Sequence, residues 1–171
     1  MTEKIRPCTK EEYSTYLAVA ADIFNNSSWN GVKPNLEVGE ANLKNLFLAY
    51  ENSDLLGFFS INKEPYLDCE SISLLGVSSS HRKKGIGSRL LKQAEQILKQ
   101  RKIEKSIVTF PAFCEDLFHF YSKNGYYVQR IKFEAKLEDG SHMKHLSWKD
   151  FSKLTKIVWV IPWAEFAKQL A

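Results

Sequence analysis

Residues 70–98 read ESISLLGVSSSHRKKGIGSRLLKQAEQIL. Residues 70–77 predict a strand, and Gly76 near its end predicts a bulge or a close backbone approach. Three serines, His81, Arg82, Lys83 and Lys84 follow, then Gly85 and Gly87. Beyond them Leu90, Leu91, Ala94, Ile97 and Leu98 recur at helical spacing and form one apolar face. A strand therefore runs into a basic loop, and the loop into a helix. The first turn of a helix leaves N–H groups unpaired and carries partial positive charge. Glycines there let a ligand reach the backbone without meeting a Cβ, and added cations favour phosphate. A charge run alone is usually a solvated face. The glycine spacing and the preceding strand turn the reading toward a diphosphate cradle. Two common nucleotide patterns are excluded by spacing. There is no GxxxxGK[ST], and Leu90 stands where GxGxxG needs its third glycine.

Outward from this stretch the chain alternates strand-like and helix-like patterns, with no repeat and no low-complexity linker, which predicts a mixed α/β domain. Residues 4–8 predict a first strand. Thr9 and Glu12 form a capping box, and Tyr13, Tyr16, Leu17, Ala20 and Phe24 follow at helical spacing. Residues 25–35 are rich in turn formers and predict a loop, and residues 36–46 predict a second helix. Residues 46–61 predict a hairpin turning at Asn52, Ser53 and Asp54. Residues 106–110 predict a strand closed by Pro111. Cys114, Leu117, Phe118 and Tyr121 then predict a helix ending at Gly125, a natural C′ residue. Residues 126–137 and 142–148 predict a hairpin turning at Asp139 and Gly140. Residues 156–161 predict a short strand, with a small helix after Pro162.

A chain of 171 residues fits one domain with room for a core. With 44% hydrophobic and 26% charged residues, disorder is not the default. A net charge of +4, from 24 basic and 20 acidic residues, is too mild to imply nucleic acid and suits a small anionic ligand. Cys8, Cys69 and Cys114 are widely spaced, which argues against a disulfide framework or a zinc site and for reduced thiols in the cytoplasm. Residues 1–13 lack the apolar core of a signal peptide, and IVWVI at 157–161 is too short to span a bilayer.

The loop resembles motif A of the GNAT superfamily, the acyl-CoA-dependent N-acyltransferases. That motif is Arg/Gln-x-x-Gly-x-Gly/Ala after a strand, and here it is Arg82-Lys83-Lys84-Gly85-Ile86-Gly87 after LLGV. FYSKNGYY at residues 120–127 resembles the family's Tyr with a Gly and an aromatic four residues on, and the element order agrees over residues 4–148. The resemblance implies an α/β fold with a mixed, mostly antiparallel central sheet flanked by helices. It implies one domain over 1–148, with 149–171 an extension packed on that domain or at a homodimer contact. It implies transfer of acetyl from acetyl-CoA to a primary amine, by direct attack in a ternary complex and without a metal. By the same resemblance the cofactor contacts are Leu75, Val77, Arg82, Lys83, Lys84, Gly85, Ile86, Gly87, Ser88 and Cys114, and Tyr121 is the general acid. Backbone N–H groups around Leu75 to Val77 would polarise the thioester oxygen. The sequence departs from the family at Cys114, where many members carry an Asn that helps hold pantetheine or substrate.

Other readings stand beside these. Tyr121 on an apolar face also fits a core aromatic. Cys114 reads as a small buried hydrophobe, since an acyl-cysteine would need an activating base and His119 lies on another face. Glu70 reads as a surface carboxylate before it reads as a base, and Glu115, Asp116 and His119 as caps or solvent-facing groups. Trp29 is either substrate-facing or a hydrophobic plug. The rival functions are a CoA-binding regulatory domain without transfer and a nucleic-acid module using the basic loop. The second lacks interleaved exposed aromatics.

Overall fold

The computed structural model describes residues 4–25, 34–63 and 69–170; Trp29 lies outside them. The chain forms two compact units, Met1–Ser106 with Leu170–Ala171, and Ile107–Gln169. The fold class is the one expected, a mixed, mostly antiparallel sheet structure flanked by helices.

In the first unit β1 (Lys4–Pro7), β2 (Leu46–Glu51), β3 (Asp54–Lys63) and β4 (Glu70–Val77) lie side by side in that order, each antiparallel to the last. α1 (Tyr13–Asn25) turns Tyr16, Ala20 and Ile23 into a core shared with Leu46, Leu48, Phe58 and Leu74. Its entry shows half of the capping box: the Thr9 N–H donates to Glu12 Oε2 at 3.2 Å. Arg6 claims the same carboxylate through Nη1 and Nη2, at 2.6 and 2.5 Å. The helix expected at 36–46 is only a 3-10 turn, Glu40–Asn45. The reason is that tyrosines of α1 hold this backbone, and one of the groups they take is the Leu36 carbonyl, which a helix would pair with the N–H of residue 40. Tyr16 donates to the Leu36 carbonyl at 2.9 Å, and the Val38 N–H donates to the Tyr13 hydroxyl at 2.8 Å. Pro34 precedes that segment and Gly39 lies within it.

α2 (Ile86–Gln100) buries Leu90, Leu91, Ala94 and Leu98 of the face its spacing predicts; Ile97 of that face is only half-buried, and Ile86 and Glu95 are buried in addition. Gly57 makes room for it: a Cβ there would meet the Gly76 carbonyl oxygen at 2.5 Å and Leu90 at 3.0 Å.

In the second unit the order is β5 (Lys105–Pro111), β8 (Ile157–Gln169), β6 (Tyr127–Leu137), β7 (His142–Leu146), β5 beginning two residues before the unit. α3 (Glu115–Lys123) ends as expected at Gly125, with φ +85° and the Tyr126 N–H bonded back to the Tyr121 carbonyl at 3.0 Å. The β6–β7 turn also forms where expected, with Gly140 at φ +85° and the Ser141 N–H on Asp139 Oδ1 at 2.9 Å. A short α4 (Trp148–Phe151) stacks Phe151 on Phe133 at 4.5 Å.

The small helix expected after Pro162 does not form; β8 runs through it to Gln169. Pro162 faces the end of β5, where its carbonyl accepts from Ala112 at 2.8 Å, so its missing N–H interrupts no ladder there. β8 is held to β6 by antiparallel pairing and by Glu165, whose fully buried side chain meets Arg130 Nε at 2.7 Å and Lys132 Nζ at 3.0 Å. None of the three cysteines forms a disulfide. Among the described residues no helix is long and apolar enough to cross a membrane.

Candidate active site

The first unit assembles Leu75, Val77 and residues 82–88 on one strand, loop and helix. Leu75 and Val77 stand opposite Phe59 and Gly57, and Gly76 opposite Phe58. The Ser78 N–H donates to the Leu56 carbonyl at 2.9 Å. Alternation along an antiparallel ladder then makes Gly76 a bonded partner of β3 and turns the N–H and C=O of Leu75 and Val77 away from it. The Val77 carbonyl accepts from Arg82 Nε at 3.3 Å, which agrees with that orientation.

Gly76 permits a close approach, though by a side chain: a Cβ there would lie 2.7 Å from the Phe58 ring. The bulge lies nearer the start of β4. Ser60 pairs with Leu74 and Ile61 with Ile72, leaving Ser73 extra.

Residues 79–81 make one 3-10 turn, and Arg82 is extended. Lys83 adopts φ +60° and Gly85 φ +77°, so the chain doubles back before the helix. Lys84 Nζ bonds the Ser80 carbonyl at 3.1 Å, and Arg89 Nη1 bonds the Lys84 carbonyl at 3.2 Å. Gly85 is the N-cap of α2 and no side chain caps the N–H groups behind it, while the first turn holds no acidic residue. Arg82, Lys83, Lys84, Gly85 and Ser88 are exposed, Gly87 half-buried, and Ile86 is buried as the anchor of the turn. Bare donors at the positive end of a helix, with cations around them, can hold an anion.

Arg89 and the bulge at Ser73 were not anticipated. Arg89 was signalled by its place one turn beyond Gly85; a one-residue bulge leaves no mark in an otherwise regular strand.

Tyr121 and Cys114 belong to the second unit. Cys114 is the N-cap residue of α3 and has no exposed surface, as a small buried hydrophobe would. Tyr121 is 7% exposed and stacks on Phe110 at 5.3 Å, with Tyr126 and Phe166 beside it. Burial, and nothing else, pushes its phenol far above the ordinary range. The group therefore keeps its proton and can serve as a donor.

Glu70 is not a loose carboxylate. Arg101 Nη1 meets both its oxygens at 3.0 and 3.1 Å, and Nη2 meets Asn45 Oδ1 at 3.0 Å. Glu115, Asp116 and His119 face solvent.

Comparison with known proteins bears on this arrangement. The pattern described as the acetyltransferase (GNAT) family matches residues 5–126. A search of curated protein sequences found no match. Among solved structures, the PaiA N-acetyltransferase of Thermoplasma acidophilum in complex with coenzyme A aligns with TM-score 0.69 at 19% identity, over 99% of each chain. The ribosomal-protein-alanine N-acetyltransferase of Brucella melitensis aligns with TM-score 0.66 at 20% identity, over 98% of this chain and 99% of that one. YncA of Salmonella typhimurium, with its cofactor acetyl-CoA, gives 0.67 at 13% identity over 100% and 95%. At these identities the structures speak to the fold, and the matched sequence pattern to the family. The chain belongs to the GNAT acetyltransferase family and is an acyltransferase.

Proposed function

We propose that the protein transfers the acetyl group of acetyl-CoA to a primary amine by direct attack within a ternary complex. The observation that carries this reading is the cradle: an uncapped helix mouth behind Gly85, ringed by cations, at the end of a strand whose Leu75 and Val77 N–H groups are turned from β3. The helix mouth binds the diphosphate, and the outward N–H groups of Leu75 and Val77 bind the pantetheine arm and polarise the thioester oxygen.

The nitrogen lone pair of a neutral amine attacks the thioester carbon, the C–S bond breaks, and the thiolate leaves with that bond's electrons. Tyr121 is the acid that protonates it, a role suited to a phenol whose burial keeps it protonated. The amine's proton leaves through water. Cys114, without exposed surface, takes no acyl group, so acetyl-Cys114 should not form when the protein meets acetyl-CoA alone. Thiols outside any disulfide fit a cytoplasmic address, where acetyl-CoA is made and used.

The test is an acceptor screen with acetyl-CoA, reading thiol release across small amines, peptide N-termini and lysine peptides. At least one class should release thiol well above the no-acceptor rate. A wild-type protein with no calorimetric response to acetyl-CoA would overturn the reading at its base.

A further inference from the structure

We propose that β8 takes the acceptor as an added strand along residues 157–161, so that the substrate is a polypeptide acetylated at its N-terminal amine; this rests on the protein being an acetyl-CoA-dependent N-acyltransferase with Tyr121 as its acid. β8 outruns the strand beside it. β5 ends at Pro111, and the Ala112 N–H just past it donates to the Pro162 carbonyl at 2.8 Å. From Ile157 to Ile161, β8 therefore has β6 on one side and, among the described residues, no strand on the other. The Pro162 carbonyl points to the β5 side, and alternation along the regular stretch 159–163 points the N–H and C=O of Val160 the same way. Val158 is the extra residue of a bulge, between Trp159 opposite Lys136 and Ile157 opposite Leu137, so it too lacks a partner on β6. The side chains of Val158 and Val160 are 60% and 41% exposed.

The outer edges of the sheet are guarded. β1 is four residues long and ends at Pro7, and β7 carries His142 and Lys144. Short strands, proline and charge are the usual means of blunting an edge. IVWVI at 157–161 has neither charge nor proline. An open edge binds an extended chain through its backbone. Two copies of this chain meeting there would pair five residues each, where a stable interface engages about 20–30 residues a side. Direction then decides which end of a peptide reacts. β5 is antiparallel to β8: the Leu170 N–H meets the Glu104 carbonyl at 2.8 Å before the start of β5, as Ala112 meets Pro162 past its end. A guest strand antiparallel to β8, the stronger of the two ladders, continues the line of β5. Its N-terminus lies against Pro111 and its far end at Ile157. That end of β5 carries Phe110, on which Tyr121 stacks. The α-amine thus arrives beside the acid, and a lysine side chain in mid-strand does not.

The experiment measures kcat/KM with acetyl-CoA for an apolar pentapeptide amide, its N-terminal dipeptide amide and a set of pentapeptides each N-methylated at one amide. Wild type and Val160→Pro are compared. The pentapeptide should exceed the dipeptide by about 10-fold, the scale of two backbone bonds, mainly through KM. N-methylation should cost activity at every second amide only, as a ladder requires. Val160→Pro removes the open N–H and interrupts no bond to β6, so it should abolish the pentapeptide's advantage. Equal kcat/KM for the two lengths, losses at consecutive amides, or an advantage that survives Val160→Pro would overturn the added strand and leave acetyl transfer standing. A dimer in sedimentation that Val160→Pro dissolves would give the edge to a second copy and overturn it as well. No calorimetric response to acetyl-CoA would instead remove the reading beneath it.

Discussion

Gly76 and Tyr121 show how much rests on single positions. The Phe58 ring occupies the space that a side chain at residue 76 would need, and Phe58 meets Tyr16 edge-on at 4.9 Å in the core beneath α1. Gly76→Ala forces that ring aside, and overpacking of this kind costs about 1–3 kcal/mol. Urea denaturation should show it as a lower midpoint with an unchanged slope; an unshifted midpoint would mean that Phe58 yields freely. Tyr121→Phe tests a different property, because it keeps the ring that stacks on Phe110 and removes only the proton donor. A lost acid lowers the rate by on the order of 10²–10⁴, and the lower end is expected since a thiolate is a fair leaving group. The dissociation constant for CoA should stay near the wild-type value, because the lost interaction belongs to the transition state. Wild-type turnover with a chemistry-limited acceptor would make Tyr121 a core aromatic. With its pKa raised so far, Tyr121 should also leave no basic limb in the rate profile below pH about 10.

Between elements, the Arg6–Glu12 pair joins β1 to the entry of α1. The Arg6 fork, aided by the Thr9 N–H, lowers the Glu12 carboxyl from its ordinary 4.5 to about 2. A carboxylate lowered by folding contributes stability above its unfolded pKa, and the contribution is lost as pH falls from 4.5 toward 2. Arg6 is 36% exposed, so screening leaves only a small part of that contribution at pH 7. Glu12→Gln should show that loss in urea at pH 7 and almost none at pH 2; an equal loss at both would assign the effect to packing. The elements also show where sequence patterns carry the fold. α2, α3 and the β6–β7 turn were legible because apolar spacing and glycine placement are local signals. The segment 36–39 was not, because tyrosine hydroxyls twenty or more residues earlier hold its backbone. The strand through Pro162 was misread because the cost of a proline depends on where the neighbouring strand ends, which is not written beside it. α4 had a local sign, Ser147 with Asp150 three residues on, and the structure uses it: the Asp150 N–H donates to Ser147 Oγ at 3.2 Å. In the site, the cradle was readable from glycine spacing, whereas the bond from Arg89 to the Lys84 carbonyl depends on the direction a side chain takes, which spacing does not record.

At the scale of the whole molecule, the last strand holds the second unit together. β8 pairs with β6 from Ile157 to Ala167 and stands between β6 and β5. It brings Phe166 against Phe110 and Phe118, at 5.1 and 4.9 Å, and the buried Glu165 against Lys132. A chain ending at Lys156 should therefore lose hydrogen-exchange protection across α3 and β6, since each is left without its apolar or hydrogen-bonded partner. Protection retained in those segments would show that β8 only covers a unit already formed. The same order of strands has a consequence for how the protein is made. Residues 107–156 leave the ribosome before the strand that fits between their own, so during synthesis β5 and β6 wait with open edges. At roughly 5–20 residues per second, the delay until β8 emerges is on the order of seconds. In that interval the nascent second unit presents unpaired strand edges of the kind that chaperones cover.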